Sequence, residues 1–261
     1  MGTVSKALKL LDYFSRSRPE IGLSDLMRLS GMNKATVYRL LSELQAHGVV
    51  EQVGAGRMYR LGPAVLRLAA VREATVPMRE VATGALQRLS DATGETAHLS
   101  QVQGDRLATL AYTYSPAHGT AVRMEDAEFV PFHATSTGLA VLAFAAPAFR
   151  ARILAAPLPA YTSDTPTDPA DIRTRLDRIR NIGLAEMIGG FEADVHSLAV
   201  PLFDATAICI GAVAVATPTT RMTHDLRSRI IAELFDSAHH MAALWGGSLP
   251  DKLQKVWADA V

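Results

Sequence analysis

Cysteine is nearly absent from this chain of 261 residues, which contains only Cys209. A single cysteine excludes an internal disulfide and a cysteine-based zinc finger, because each of these needs at least two thiols. Long hydrophobic runs are absent as well, since no apolar segment reaches the ~18 residues that a membrane-spanning helix requires. The first residues show no apolar signal core followed by a cleavage site. These absences predict a cytoplasmic protein that makes no contact with a membrane.

Net charge is absent too, because 26 Lys and Arg residues balance 26 Asp and Glu residues. The charges are unevenly distributed along the chain. Residues 1–62 contain nine Lys and Arg against five Asp and Glu, a net charge of +4, which leaves −4 for the rest. A basic N-terminal part on an acidic body is typical of a protein that contacts nucleic acid through one end. The length exceeds that of a usual single domain, so we expect two domains.

Residues 23–48 have the pattern of a helix-turn-helix. A short amphipathic helix ends at Ser30 and Gly31, and Asn33 is a good N-cap for the helix that follows. Gly48 supplies the stop signal of this second helix. Its apolar residues recur at i, i+3, i+4 and i+7, which predicts one buried stripe of Val37, Leu40, Leu41 and Leu44. The second helix of such a motif enters the major groove of DNA.

Two short β-prone runs, residues 49–53 and 58–61, flank a glycine-rich turn signal and predict a β-hairpin. A hairpin directly after a recognition helix is the wing of a winged helix-turn-helix. The alternative is an ordinary helical hairpin with a solvated basic face. We expect the winged helix-turn-helix to contact double-stranded operator DNA through Asn33, Lys34, Thr36, Tyr38, Arg39, Arg57 and Arg60.

The rest of the chain alternates between two periodicities. Residues 4–14 predict a first helix, and residues 64–73 predict a connecting helix after the break at Gly62 and Pro63. Further helices are predicted at residues 77–93, 136–144, 148–155, 171–182 and 224–245. Strands with a period of two are predicted at residues 96–103, 106–114, 184–187, 195–203 and 208–216. Strands that arrive in pairs between helices indicate an α+β domain on an antiparallel sheet.

Eight short motifs then match one family pattern in the right order. In the N-terminal part they are VSKAL at 4–8, LSDL at 23–26, TVYRLL at 36–41 and YRLG at 59–62. In the C-terminal part they are PFHATSTG at 131–138, IGLA at 182–185, LAVPLFD at 198–204 and TPTTR at 217–221. On these motifs the chain resembles the isocitrate-lyase-regulator (IclR) family of bacterial transcription factors over essentially its whole length.

The resemblance implies a winged helix-turn-helix (residues 1–62), a linker helix (63–76) and a GAF-like effector-binding domain (77–261). The implied fold class is α+β, with an antiparallel sheet flanked by helices in the second domain. It also implies a homo-oligomer, either a dimer or a dimer of dimers, that binds partly palindromic operators. A small organic acid would change its DNA affinity, commonly to relieve or impose repression of nearby catabolic genes, and we expect a repressor of a catabolic operon. No cofactor and no enzymatic activity are implied.

By the same resemblance, the effector pocket would be lined by Thr137, Gly138, Met187, Val195, Ser197, Ala214 and Ala216. Thr137 and Gly138 stand at a helix start, where free amides suit a carboxylate. Members that bind small oxo-acids commonly carry polar residues where this chain has Met187, Ala214 and Ala216. Leu139 stands where a lysine is frequent. A more apolar pocket favours a part-apolar or aromatic carboxylate as the effector.

Two other classes of function stay open. One is an enzyme whose GAF-like domain performs hydrolysis or isomerisation, and the other is a ligand-independent architectural DNA binder. No metal is expected, since no Cys or carboxylate stands at ligand spacing from the histidines at 98, 118, 133 and 196. Cys209 lies in an apolar strand and is expected to be a buried, inert thiol. Neither Ser136 nor Ser197 lies in a nucleophile elbow, so we expect Ser136 to cap a helix and Ser197 to hydrogen-bond in the pocket.

Overall fold

Two separate hydrophobic cores divide the chain into two units, Met1–Pro77 and Met78–Val261. The structure is a computed structural model, and it describes residues 2–14, 18–54, 58–75, 78–124, 129–244 and 246–258. Within these ranges, every helix is too short or too polar to cross a membrane.

The first unit contains four helices and one hairpin in its described part. They are α1 (Thr3–Leu11), α2 (Leu23–Ser30), α3 (Lys34–Ala46), β1 (Val50–Val53), β2 (Met58–Leu61) and α4 (Pro63–Thr75). The helix-turn-helix and the hairpin of the sequence analysis are therefore confirmed. The first helix is shorter than predicted, because it ends at Leu11 rather than at Phe14.

The helix-turn-helix is built on the apolar stripe of α3. Val37 and Leu41 are fully buried, and Leu40 is 3% exposed. The turn before α3 needs the left-handed backbone of Gly31, whose φ is 68°. The Asn33 side chain then accepts a hydrogen bond from the Thr36 amide at 2.9 Å, which satisfies one of the free donors of the first turn. Local sequence thus determines where the recognition helix begins.

The second unit has six α-helices and six strands among its described residues. They are α5 (Met78–Thr93), β3 (Thr96–Gln103), β4 (Arg106–Thr113), β5 (Phe129–Val130), α6 (Ser136–Phe144), α7 (Pro147–Ala155), α8 (Pro169–Ile182), β6 (Ala185–Ile188), β7 (Val195–Phe203), β8 (Cys209–Pro218), α9 (His224–Leu244) and α10 (Asp251–Ala258). The six strands form one antiparallel sheet in the order β5-β4-β3-β8-β7-β6.

Helices cover both faces of this sheet. Because side chains alternate along a strand, residues that pair across neighbouring strands share one face. Thr96 pairs with Ala216, which pairs with Ser197, which pairs with Met187. This face carries α6, whereas α5 and α9 pack on the opposite face. The α+β architecture with flanking helices is confirmed.

The last described helix, α10, was missed by the sequence analysis. Its Trp257 is 1% exposed and stacks on Phe235 of α9, with ring centroids 4.5 Å apart. The Trp257 indole nitrogen also donates to the Ile182 carbonyl at 3.1 Å, at the end of α8. An eight-residue segment such as α10 is a weak helix by itself, so its stability comes from these distant partners.

We expect Gly138→Ala and Gly84→Ala to change stability in opposite directions. A methyl group at Gly138 would collide with the Phe132 backbone, whereas a methyl group at Gly84 of α5 would meet no atom within 4 Å. Overpacking at Gly138 should lower the free energy of unfolding by about 1–3 kcal/mol. Alanine at Gly84 should raise it by about 0.5–1 kcal/mol, because alanine is the better helix former. Urea denaturation measures both, and a Gly138→Ala protein as stable as wild type would contradict the close packing.

Candidate ligand cavity and nucleic-acid interface

A cavity opens between the sheet and the N-terminal end of α6. It contains about 540 Å³ of empty space, its open mouth included. Its floor is the sheet face that carries α6, and its walls are the first turn of α6 and two loops, residues 122–124 and 190–192. Most of the floor is apolar or small, whereas Arg123 and Glu192 bring charges from the loops.

Five of the seven predicted effector residues meet in this cavity: Thr137, Met187, Val195, Ser197 and Ala216. The other two stand outside its described lining. Ala214 is fully buried in β8, where it pairs with His98. Gly138 lies against the backbone of Phe132, where a side chain would not fit. Effector binding by all seven residues stays a prediction.

The start of α6 differs from the sequence expectation in two details. Thr135 caps the helix, and not Ser136, because Thr135 has an extended backbone with φ −122° and ψ 151°. Its hydroxyl accepts a hydrogen bond from the Gly138 amide at 3.0 Å. The Gly138 amide is therefore already hydrogen-bonded, whereas the sequence analysis expected it to be free for a carboxylate. The first-turn amides that remain for an anion are those of Ser136 and Thr137.

His98 lies on the cavity floor, whereas the sequence analysis considered this histidine only as a metal ligand and rejected that role. It is 7% exposed, and its Nδ1 has no hydrogen-bond partner among the described residues. Burial lowers the pKa of His98 to about 4. The imidazole is therefore neutral near pH 7 and offers both a donor and an acceptor. Strand periodicity places His98 on the same face as Thr96, but only the pairing with β8 shows that this face meets the cavity.

A buried ion pair positions the loop that forms one wall of the cavity. Arg221 donates from Nε and Nη2 to the two carboxylate oxygens of Glu95, at 2.7 and 2.6 Å. Glu95 is 2% exposed. The same guanidinium donates to the Thr120 hydroxyl at 3.0 Å, and Thr96 donates to the Val122 carbonyl at 3.0 Å. The wall is thus attached to the start of β3 and to the residues that follow β8.

A second ion pair anchors β6, the strand that carries Met187. Arg227 of α9 donates to both carboxylate oxygens of Glu186, at 2.8 and 2.7 Å. The His196 Nε2 is 2.8 Å from the same carboxylate. The hydrogen bonds from Arg227, and then that of His196, lower the pKa of Glu186 to about 2. Glu186 is therefore ionised at neutral pH and connects the sheet to α9.

The side chains considered above as metal ligands or nucleophiles have surroundings that indicate a structural role. The described residues contain no cluster of three or more His, Cys, Asp or Glu side chains that could hold a metal ion. His133 is instead 3.0 Å from the Pro159 carbonyl, measured at Nε2. Burial raises the pKa of the Cys209 thiol to about 12, so this thiol is protonated at neutral pH. A protonated, buried thiol is a poor nucleophile.

The recognition helix presents a polar surface on the side away from its buried stripe. Lys34, Tyr38 and Arg39 are exposed there, and Thr36 is half-buried. On the wing, the Arg60 guanidinium pairs with Glu51 of the neighbouring strand at 2.6 Å. Arg57, also expected to contact DNA, lies outside the described residues. DNA contact by the predicted residues stays a prediction.

A helix-turn-helix unit followed by an α+β unit with a cavity is the architecture of a DNA-binding transcription regulator. Two family models match this chain. The IclR helix-turn-helix domain matches residues 3–54, and the bacterial transcriptional regulator IclR C-terminal domain matches residues 72–243. The chain belongs to the IclR family of transcription regulators.

Relatives with known sequences or structures agree with this family. The regulator XynR of Escherichia coli K12 is 28% identical over 233 residues, which cover 84% of this chain and 87% of XynR. A crystal structure of an IclR regulator from Silicibacter sp. TM1040 is 56% identical, with a TM-score of 0.85, and the match covers 97% of this chain and 99% of that one. An IclR homolog from Microbacterium hydrocarbonoxydans, complexed with 4-hydroxybenzoate, is 24% identical, with a TM-score of 0.57 and coverage of 93% and 100%.

Proposed function

We propose that this protein is a ligand-responsive repressor of a catabolic operon, and that its effector is a small part-apolar or aromatic carboxylate. The observation that carries the proposal is the cavity beside the first turn of α6. A mostly apolar cavity with a few convergent polar groups is the usual form of a small-ligand site. The protein would act in the cytoplasm, where its operator DNA is.

The lining of the cavity supports the ligand class. Met187, Val195 and Ala216 supply apolar surface for the body of the ligand. The amides of Ser136 and Thr137 and the Arg123 guanidinium supply positive charge for a carboxylate. A two- or three-carbon oxo-acid would leave the apolar surface uncovered. The 4-hydroxybenzoate complex of the Microbacterium homolog supports an aromatic acid.

The surface of the first unit supports a homo-oligomer. Leu66, Leu68 and Val71 of α4 are 75%, 54% and 55% exposed, and Val4 and Leu8 of α1 are 73% and 56% exposed. Large apolar side chains exposed together mark protein–protein contacts. We propose that a second copy covers them in a dimer or a dimer of dimers, with α4 as part of a linker at residues 63–76 between a DNA-binding domain and an effector domain.

The alternative of an enzyme lacks a catalytic arrangement among the described lining residues. Ser136, Thr137 and Ser197 carry hydroxyls, but activation of a hydroxyl nucleophile requires a hydrogen bond to a base. His98 is the histidine of the lining, and its Nδ1 has no partner in the described part of the chain. We therefore favour binding over catalysis. A ligand-independent architectural role would not require a cavity for a small molecule.

The first prediction of the proposed function concerns Arg39, which we expect to contact a base edge in the major groove. A bidentate contact with guanine contributes about 1–3 kcal/mol, so Arg39→Ala should weaken operator binding about 5- to 150-fold. Mobility-shift titration on an operator selected from a random DNA library measures this. Arg229→Ala on α9 removes the same charge from an exposed site and should bind like wild type. If both variants bind the operator equally well, Arg39 is not part of the DNA interface.

The second prediction concerns assembly. Leu66→Glu with Val71→Glu should convert the oligomer to a monomer, because charges would replace exposed apolar contacts on α4. Light scattering at micromolar concentration should give a dimer or tetramer for wild type. Operator affinity should fall with the loss of the dimer, since two half-sites need two copies. A monomeric wild type, with and without DNA, would contradict the proposal.

The third prediction concerns the effector. Benzoate or 4-hydroxybenzoate at 100 times its Kd should stabilise the protein by about 2.7 kcal/mol and weaken operator binding. Ala216→Leu places a larger side chain in the cavity and should abolish both responses while leaving operator binding intact. The matched control is Ala151→Leu, at an exposed site on α7. An Ala216→Leu protein that responds like wild type would place the ligand elsewhere.

A further inference from the structure

Polar atoms without partners are concentrated on the sheet face that forms the cavity floor. Five buried side-chain atoms have no hydrogen-bond partner among the described residues. Three of them belong to His98, Ser100 and Thr109, which the register of β3 with β4 places on one face. Burying such atoms without partners costs free energy, so native proteins rarely leave them in one row. His98 is the member of this row that lines the cavity.

The residues beside His98 in β8 have small side chains. In β8 the residues on this face are Ala214 and Ala216, whose side chains are single methyl groups. On its other side His98 pairs with Tyr112 of β4. The imidazole is 7% exposed and lines the cavity, so a ligand in the cavity can reach it.

We propose that His98 determines the specificity of the cavity by hydrogen-bonding an uncharged polar group of the effector, such as a hydroxyl. The inference rests on the proposed function, because it names a second recognition point in the same site. The effector is thus an acid with two polar ends, a carboxylate towards α6 or Arg123 and a neutral hydroxyl towards His98.

A neutral group suits His98 better than a second charge does. The buried imidazole is neutral near pH 7, so it offers no charge to a carboxylate. A neutral imidazole donates one hydrogen bond and accepts one, and a hydroxyl can match either role. A cation is disfavoured because the described lining residues of the sheet floor include no carboxylate to pair with it.

The position of His98 also sets a minimum length for the ligand. His98 and Ser197 lie on strands β3 and β7, which are separated by β8, and their register differs by two residues. Two strand spacings and two residues along a strand place their backbones about 12 Å apart. A ligand that contacts both side chains must therefore be longer than a two- or three-carbon acid.

Calorimetry on the full-length protein tests the inference with benzoate and its 2-, 3- and 4-hydroxy derivatives as probes. Wild type should bind one hydroxybenzoate about 5- to 150-fold more tightly than benzoate, because benzoate leaves the buried imidazole unpaired. In His98→Leu this ratio should fall to near 1 while benzoate affinity is retained. His98→Gln keeps a donor and an acceptor and should retain part of the preference. In wild type, the imidazole nitrogen resonances of His98 should shift with the preferred hydroxybenzoate and much less with benzoate.

The outcomes separate this inference from the proposed function. If wild type binds the acids without preference, or if His98→Leu keeps the full preference, the role of His98 is overturned and the proposed effector class stands. If wild type binds the operator but none of the acids, both the effector class and the inference fail. If His98→Leu does not fold, the resonances of wild type decide. Unchanged His98 resonances in wild type saturated with the preferred acid would overturn the role of His98 and leave the proposed effector class standing.

Discussion

The antiparallel pairing of β3, β8 and β7 is the constraint on which the rest of the second unit depends. With a side-chain period of two, this register places His98, Ala216 and Ser197 on one face, although they are far apart in the sequence. A slip of any one of these strands by one residue would turn its residue to the opposite face, which packs on α5 and α9. The cavity therefore exists because the strand register is correct, and the small alanines of β8 leave it open.

The cavity also depends on how closely α6 approaches the chain before it. Gly138 lies where any side chain would collide with the Phe132 backbone, so a glycine at this position permits the first turn of α6 to sit against the segment that precedes it. Two ion pairs between side chains also hold the cavity in place. Glu95 with Arg221, and Glu186 with Arg227, attach a loop and the edge strand β6 to neighbouring elements. Each carboxylate is paired in two places, which compensates for removing it from water.

Local sequence was sufficient for much of the fold. The periodicity of Val37, Leu40 and Leu41, the cap at Asn33 and the β-prone run of β7 all depend on residues within a few positions of one another. Prediction failed where a distant partner decides the outcome. Trp257 stabilises α10 through contacts with Phe235 and the Ile182 carbonyl. The residues near Trp257 in the sequence do not indicate these contacts.

By itself, the sequence determined the two-unit organisation, the winged helix-turn-helix and the family, because these follow from short-range patterns and ordered motifs. It also indicated five of the residues that meet in the cavity. Tertiary structure alone decided which polar groups face that cavity. His98 and Arg123 come from a strand and a loop whose neighbours in space are remote in the chain, and Gly138 proved to be a packing residue. The physical reason is that burial and charge at a site depend on strand register and helix packing, which no local pattern encodes.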